Sequence, residues 1–393
     1  MNDRQPTSLR ELAGVFLRLG FIAFGGPAAH VALIEDQAVF RRNWLDRQHF
    51  LDLIAAINFI PGPNSTELVI HIGQLRAGTR GLFVAGMCFI VPAMLIILPI
   101  SWVYVQWGAT PQVQPPLRAI GAAVAAVVIF ATVRFAATAL KDGFTIALAI
   151  AVVIAAPLIQ RYSAVQPQIP LLTFAALAGI ARRILRPGRQ ITLALALPVG
   201  YWAKLAGLGW EMLKIGGTLF GSGYVLVSYL QSAMVDHHGW MTQQQLTDAI
   251  AVGQFTPGPL LTTATFVGYL LGATTFGGGT AGGILGGITA TTAIFLPSFL
   301  LVWIFGPAIQ RIRANPGARQ ALDAMNSAVV ALMVIAAMEL VYPVVVDRRV
   351  GSINWLGCII LLGSLAGLWK KINATWLILA AGLIGAGASL IFR

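Results

Sequence analysis

The chain has 393 residues, 57% of them hydrophobic and only 10% charged, with a mean hydropathy of +0.79 and a net charge of +12. A soluble domain carries about 25% charged residues, which excludes a water-soluble fold, and the long continuous apolar runs exclude a membrane β-barrel. In such a chain the excess of 26 Lys and Arg over 14 Asp and Glu reads as cytoplasmic-loop charge, not as a nucleic-acid surface.

A membrane-spanning helix needs roughly 20 apolar residues, and thirteen stretches are candidates. The polar start, Met1 to Arg10, leads into the first, 12–34, which contains Arg18 and His30. Its interruption at Gly25-Gly26-Pro27 is unlike the unbroken apolar core of a cleavable signal, so it is expected to remain in the protein. The second, 50–77, begins near Asp52, breaks at Pro61-Gly62-Pro63 and resumes as Asn64-Ser65-Thr66-Glu67, with His71 one turn on. Segments 80–105, 117–140, 144–160 and 168–184 follow across short loops, and 191–208 reads as a connecting helix. Next come 211–234, with Lys214 and the break Phe220-Gly221-Ser222-Gly223, and 247–272, with Pro257-Gly258-Pro259 and then Thr262-Thr263. The last four are 280–305, 321–345, 353–369 and 374–392. Cys88 and Cys358 lie inside apolar segments and read as packing residues, with no disulfide or metal site implied.

The chain repeats itself. At a shift of 196 residues, Trp44, Gln48, Asp52 and Phe59 fall on Trp240, Gln244, Asp248 and Phe255, and Pro61-Gly62-Pro63 falls on Pro257-Gly258-Pro259. Nine of the twenty positions in 44–63 are identical without a gap. The same shift sets Phe24-Gly25 on Phe220-Gly221 and Arg18 on Lys214. After an insertion near Gly277-Gly278-Gly279 the shift becomes 205, matching Pro92 to Pro297 and Val124 to Val329. This is a tandem duplication: residues 1–190, a connector at 191–208, and residues 209–393.

Loop charge orients the halves. Arg41, Arg42 and Arg47 fill 35–49, and Arg76 and Arg80 mark the next loop, whereas the equivalent loops 235–246 and 272–280 carry no Lys or Arg. The pattern reverses at 106–116, which is bare, and 306–320, which carries Arg311, Arg313 and Arg319. Positive loops stay in the cytoplasm, so equivalent loops are expected on opposite faces. Arg348 and Arg349, placed outside, run against this scheme, with Asp347 a partial offset. Positive loops also flank both ends of 50–77, and bare loops flank both ends of 247–272. Each of these segments is therefore expected to turn back at its Pro-Gly-Pro as a re-entrant hairpin, the alternative being a kinked span. For the Gly25-Gly26-Pro27 break the charges do not decide. The expected fold is an all-α polytopic membrane protein of two homologous halves, inverted-topology repeats with broken or re-entrant helices, the architecture of many secondary transporters.

Irregular backbone at membrane depth persists only when buried in protein or lining a wet cavity, so the duplicated breaks mark the expected site. Helix starts offer free N–H groups and partial positive charge to an anion. Asn64, Ser65 and Thr66 follow Pro61, Gly62 and Pro63; Thr262 and Thr263 follow Pro257, Gly258 and Pro259. At the other break, Gly25 and Gly26, with Gly221, Ser222 and Gly223, let further N–H groups approach. Arg18 and Lys214, at matching positions, either balance the anion or snorkel to the interface. The set suits a small oxyanion.

Other polar groups are less specific. Glu67 and His71, one helical turn apart, suit a proton relay or simply pair with each other. Asp52 and Asp248 read as helix-terminal charges, Arg134 and Glu339 as either an ion pair between halves or surface residues, and His237-His238 as a solvated loop. His30 is a buried donor or a site residue. No nucleotide-binding loop, nucleophile–base pair or cofactor motif is present, so no enzyme and no cofactor are expected.

Two homologous halves, each with a Phe-Gly-(Gly/Ser) break and a later Pro-Gly-Pro, resemble the long-chain chromate transporters over essentially the whole chain. The resemblance implies a multi-pass carrier of the bacterial inner membrane that expels chromate using the electrochemical gradient and confers resistance. Its expected partners are chromate or a sulfate-like oxyanion and the lipid bilayer, without nucleic acid; a homodimer is compatible with it. Sulfate transport, or an anion channel, is the alternative. The pattern departs at the first break of the second half, where Ser222-Gly223 replaces Gly26-Pro27, making the two half-sites unequal.

Overall fold

Backbone polar groups inside a bilayer find no water, so continuously apolar sequence must satisfy them within helices. The computed structural model describes residues 7–24, 26–108, 110, 112–162, 168–181, 200–221, 223–306, 316–347 and 352–391. Apart from turns and a two-residue ribbon pairing Val346–Asp347 with Ser352–Ile353, these residues are helical. In the first half, α1 (Leu9–Ile22) is capped by the Ser8 hydroxyl, which accepts from the Glu11 N–H at 3.2 Å. α2 (Gly26–Glu35) continues through a π-helical turn, Asp36–Arg41. α3 (Arg47–Ile57) stops before Pro61, and α4 (Asn64–Trp107) resumes, interrupted at Ala77 and Gly78. α5 (Gln114–Ala139), α6 (Gly143–Tyr162) and α7 (Gln168–Ala181) complete it.

The second half runs in the same order. α8 (Tyr201–Thr218) answers α1; α9 (Leu226–Leu230), extended by the π-helical turn Gln231–His237, answers α2; α10 (Gln243–Phe255) answers α3. The single helix α4 is matched by two stretches: α11 (Thr263–Leu270) with the turn Leu271–Thr275, and then α12 (Gly279–Phe305). α13 (Pro316–Val345), α14 (Trp355–Trp369) and α15 (Ala374–Ile391) follow. Of the predicted connector, residues 191–199 lie outside the described residues, and 201–208 form the opening turns of α8. No proline interrupts that stretch, so the helix runs straight into the segment predicted to begin at 211.

Among the described residues, four helices are long and apolar enough to cross a membrane: Asn64–Trp107, Gln114–Ala139, Gly279–Phe305 and Gln320–Val345. Gly143–Ala156, Leu260–Thr275, Trp355–Trp369 and Ala374–Ser389 are shorter apolar helices. The chain is thus an all-helical polytopic membrane protein. Thirteen uniform segments do not appear, because several predicted ones are broken into pieces too short to cross alone.

Those broken pieces fold back. Arg42, past the end of α2, lies 3.8 Å from Glu11 at the start of α1. The Trp44 carbonyl, before α3, accepts from Arg76 Nη1 at 3.4 Å, just short of the interruption in α4. In the second half His238 Nε2 lies 3.1 Å from Glu211 Oε1, and Thr275 Oγ1 donates to the Trp240 carbonyl at 3.0 Å. Both ends of each Pro-Gly-Pro segment therefore lie close together. The glycine breaks, on which loop charge was silent, fold back as well.

At the tips the halves exchange backbone hydrogen bonds. The Gly62 N–H donates to the Leu219 carbonyl at 2.7 Å, and the Gly258 N–H to the Ala23 carbonyl at 2.9 Å. Donors and acceptors are each 196 residues apart, so the exchange is reciprocal, as across a twofold axis. α12, 27 residues or about 40 Å long at 1.5 Å per residue, starts at the open end of the second-half hairpin. It ends beside the open end of the first, where the Trp303 carbonyl accepts from Gln74 Nε2 at 3.4 Å. The repeat-matched Val124 and Val329 are both fully buried in one apolar core shared by the halves.

Candidate functional site

Beside the hairpin tips lies a cavity of about 720 Å³. Pro63, Asn64 and Ser65 line it from the first-half Pro-Gly-Pro break, and Gly221 and Gly223 from the second-half glycine break. Asn58, Asn326 and Thr138 add amide and hydroxyl groups. Lys141, at the end of α5, and Asp323, on α13, also line it and pair at 2.6 Å, with side chains 59% and 37% exposed. That exposure places the pair at the rim.

The donors follow from the way α4 begins. The first N–H groups of a helix have no acceptor one turn back. Thr66 and Glu67 turn theirs to the Pro63 carbonyl, at 2.8 and 3.1 Å. The N–H groups of Asn64 and Ser65 have no backbone acceptor among the described residues, and both residues line the cavity. Asn64 Nδ2 donates to Asn58 Oδ1 at 2.9 Å, which fixes the amide and leaves its second hydrogen free. Ser65 is tied inward: its Oγ lies 3.4 Å from His30 Nδ1, while His30 Nε2 donates to the Ala23 carbonyl at 3.0 Å. His30 thereby braces both tips, since the same Ala23 carbonyl receives Gly258.

The second-half helix start reaches the cavity only through the apolar Leu260, the repeat equivalent of Asn64. Leu261, the equivalent of Ser65, does not line it. Thr262 Oγ1 donates to the Pro259 carbonyl at 2.7 Å and Thr263 Oγ1 to the Leu260 carbonyl at 2.8 Å, and both threonines are buried away from the cavity. Gly62 and Gly258, expected as open approaches for an anion, spend their N–H groups on the opposite half. The space a side chain would need is also taken, by Glu67 and Ser298 at Gly62 and by Ala93 Cβ, 2.6 Å away, at Gly258. Pro61, Pro257 and Pro259 shape the tips without lining the cavity. Gly26 opens α2; Gly25 and Ser222 lie outside the described residues.

The two matched cations stand apart. Arg18 is exposed on α1, and Lys214 is held by Glu211 on its own helix at 2.8 Å; neither lines the cavity. Thr66, Glu67 and His71 are buried behind the lining; Glu67 Oε1 lies 3.5 Å from Ser298 Oγ across the halves. Among the described residues Glu67 Oε2, His71 Nδ1 and Thr66 Oγ1 have no partner, so Glu67 and His71 do not simply pair.

The remaining expectations divide. Asp52 keeps company with Gln48 at 3.4 Å near its helix start. Asp248 is no surface charge: it is 1% exposed and accepts from Tyr104 Oη at 2.6 Å and Gln244 Nε2 at 2.9 Å, joining α4 to α10. Arg134 and Glu339 form no pair; they line different cavities, Arg134 one shared with Lys371. His238 is not simply solvated, since it stacks on Trp240 at 4.0 Å. Among the described residues no group of three His, Cys, Asp or Glu converges as a metal site. Sequence reasoning missed Asn58, Thr138, Lys141, Asp323 and Asn326. For Asn58 a signal existed: Asn58 and Gln254 are amides three residues before each Pro-Gly-Pro. The others come from helices distant in sequence, which only packing brings together.

A family model described as chromate transporter matches the chain twice, at residues 10–180 and 206–386. Over 97% of its length the chain is 30% identical to a chromate transport protein of Pseudomonas aeruginosa, 92% of which is covered. It is 26% identical to a chromate transport protein of Cupriavidus metallidurans, over 97% of this chain and 93% of that one. An uncharacterised transporter of Methanocaldococcus jannaschii is 27% identical over 98% of this chain and 96% of its own. No solved structure matches the chain.

Proposed function

Because the chain belongs to the chromate transporter family, we propose that it is a secondary carrier exporting chromate across the bacterial inner membrane, with the cavity at the hairpin tips as its binding chamber. One observation carries this reading: the start of α4 opens into a cavity whose opposite wall is the glycine break of the other half. Free N–H groups at a helix start favour an anion, and glycine at Gly221 and Gly223 leaves the backbone approachable. At about 720 Å³ the chamber exceeds a single tetrahedral dianion, so the ion enters with water. Lys141 meets it first, exchanging Asp323 for the substrate.

Export through such a chamber calls for two faces. The loop charges place the open ends of the two hairpins on opposite sides, and α12 supports this by running from one open end to the other. In that frame the segments 44–76 and 240–275 are re-entrant, and the rim at Lys141 faces the cytoplasm. The first-half start, with Ser65 on the cavity, and the second-half start, with the equivalent Leu261 off it, are then one state of an alternating-access cycle.

Chromate flux into proteoliposomes, with sulfate as competitor, tests the chamber. A hydrogen bond to a charged group is worth about 1.5–3 kcal/mol, so Asn64→Leu should raise the half-saturating chromate concentration about tenfold or more. Lys141→Gln should raise it too. Unchanged half-saturation in both variants, at equal amounts of inserted protein, would place the substrate elsewhere. Sulfate inhibiting as well as chromate would make the protein a general oxyanion carrier.

A further inference from the structure

A second polar chamber, of about 20 Å³, lies where α7 of the first half meets the π-helical turn Gln231–His237 and α13 of the second. That is room for one water-sized occupant. Its lining offers oxygen: the carboxylates of Glu339 and Asp236, the amides of Gln168 and Gln231, and the hydroxyls of Ser228 and Ser232. The hydrogen-bond partners decide what these groups present. Gln168, 3% exposed, donates through Nε2 to the Ser228 carbonyl at 3.1 Å, and its Oε1 has no partner among the described residues. Flipping the amide would sacrifice that bond. The Ser228 hydroxyl donates to the Leu332 carbonyl at 2.6 Å, so toward the chamber it can only accept. Gln231 Nε2 donates to Asp236 Oδ1 at 3.0 Å and orders that carboxylate. A wide π-helical turn set into an α-helix is a frequent mark of function, and here it carries Gln231, Ser232 and Asp236 together.

We propose that this chamber binds a sodium ion, held by Glu339, Gln168 Oε1 and Ser228 Oγ. The ligands are all hard oxygens, with no nitrogen or sulfur donor for a transition metal. Magnesium keeps several of its waters, which the chamber cannot hold. Calcium, of nearly the same radius, takes six to eight oxygen ligands, usually several of them carboxylates, more than this lining brings to one point. Gln168 belongs to one half and Ser228 and Glu339 to the other, so a bound ion bridges the halves at a point remote from the hairpin tips.

The test is binding, and it does not depend on chromate being the substrate. Purified full-length protein in detergent, kept in choline chloride, is titrated with radiolabelled sodium chloride at constant ionic strength, with thermal unfolding followed in parallel. Sodium should bind saturably and raise the unfolding temperature. Glu339→Gln should weaken binding at least about tenfold, as expected for loss of a half-buried charged partner. Gln168→Leu should weaken it independently, so the outcome stands even if one variant fails to fold. Absence of saturable sodium binding overturns the proposal. So does equal sodium stabilisation in the wild type and both variants, which would be a general salt effect, or saturation by potassium or calcium where sodium fails.

Discussion

Gly62 and Gly258 have φ of +141° and +97°, a region in which a side chain is strained, at a cost of about 1–3 kcal/mol. The Gly258 position adds a steric demand, because a new Cβ would stand 2.6 Å from Ala93 Cβ. Gly258→Ala should therefore lower the thermal unfolding temperature, and Ala93→Gly in the same chain should restore part of the loss but not the backbone share. A Gly258→Ala protein as stable as the wild type would show that the tip is not docked as described. The cations permit a separate test. Arg18 and Lys214 lie outside the cavity, so Gln at either position should leave the half-saturating chromate concentration unchanged. A large rise in either variant would return that residue to the substrate's path. Lys214→Gln should cost some stability, since it removes the 2.8 Å ion pair to Glu211, whose side chain is 7% exposed.

At the scale of elements, the hairpins rest on short helices whose ends meet, and this makes a topological prediction. With Cys88 and Cys358 replaced, single cysteines at Gln48 and Thr79 should react with an impermeant thiol reagent from one face, and those at His237 and Thr280 from the other. Gln48 and Thr79 reacting from different faces would mean that 44–76 crosses the membrane. Much of this was legible in the sequence. Proline removes a donor and glycine accepts positive φ, so Pro61-Gly62-Pro63 announces its own break, and loop charge announces the fold-back. The fate of the freed N–H groups was not legible, because Gly62 meets Leu219 and Gly258 meets Ala23 only through docking of halves far apart in sequence. That Arg18 and Lys214 do not line the cavity was illegible for the same reason: repetition fixes equivalent positions, while packing sets which of them reach a cavity.

For the whole molecule, reciprocal contacts and an unequal site belong together. The backbone exchange at the tips obeys the repeat, yet Ser65 lines the cavity while its repeat equivalent Leu261 does not, and the second half offers there only the apolar Leu260 where the first offers Asn64. A strictly symmetric molecule would open both starts or neither. Symmetry broken this way is what one end state of an alternating carrier presents, and the other end state should exchange the roles of the halves. In inside-out vesicles a cysteine at Ser65 should then react readily with a thiol reagent added to the cytoplasmic face, and chromate should protect it. A cysteine at Leu261, the repeat equivalent of Ser65, should be inert from that face. From the periplasmic face of right-side-out vesicles the order should reverse, and Leu261→Cys should become reactive only while chromate is being turned over. If Leu261→Cys instead reacts from the cytoplasmic face as fast as Ser65→Cys, both starts open to one side. The inequality of the halves would then be a fixed property of the site rather than one position in a cycle.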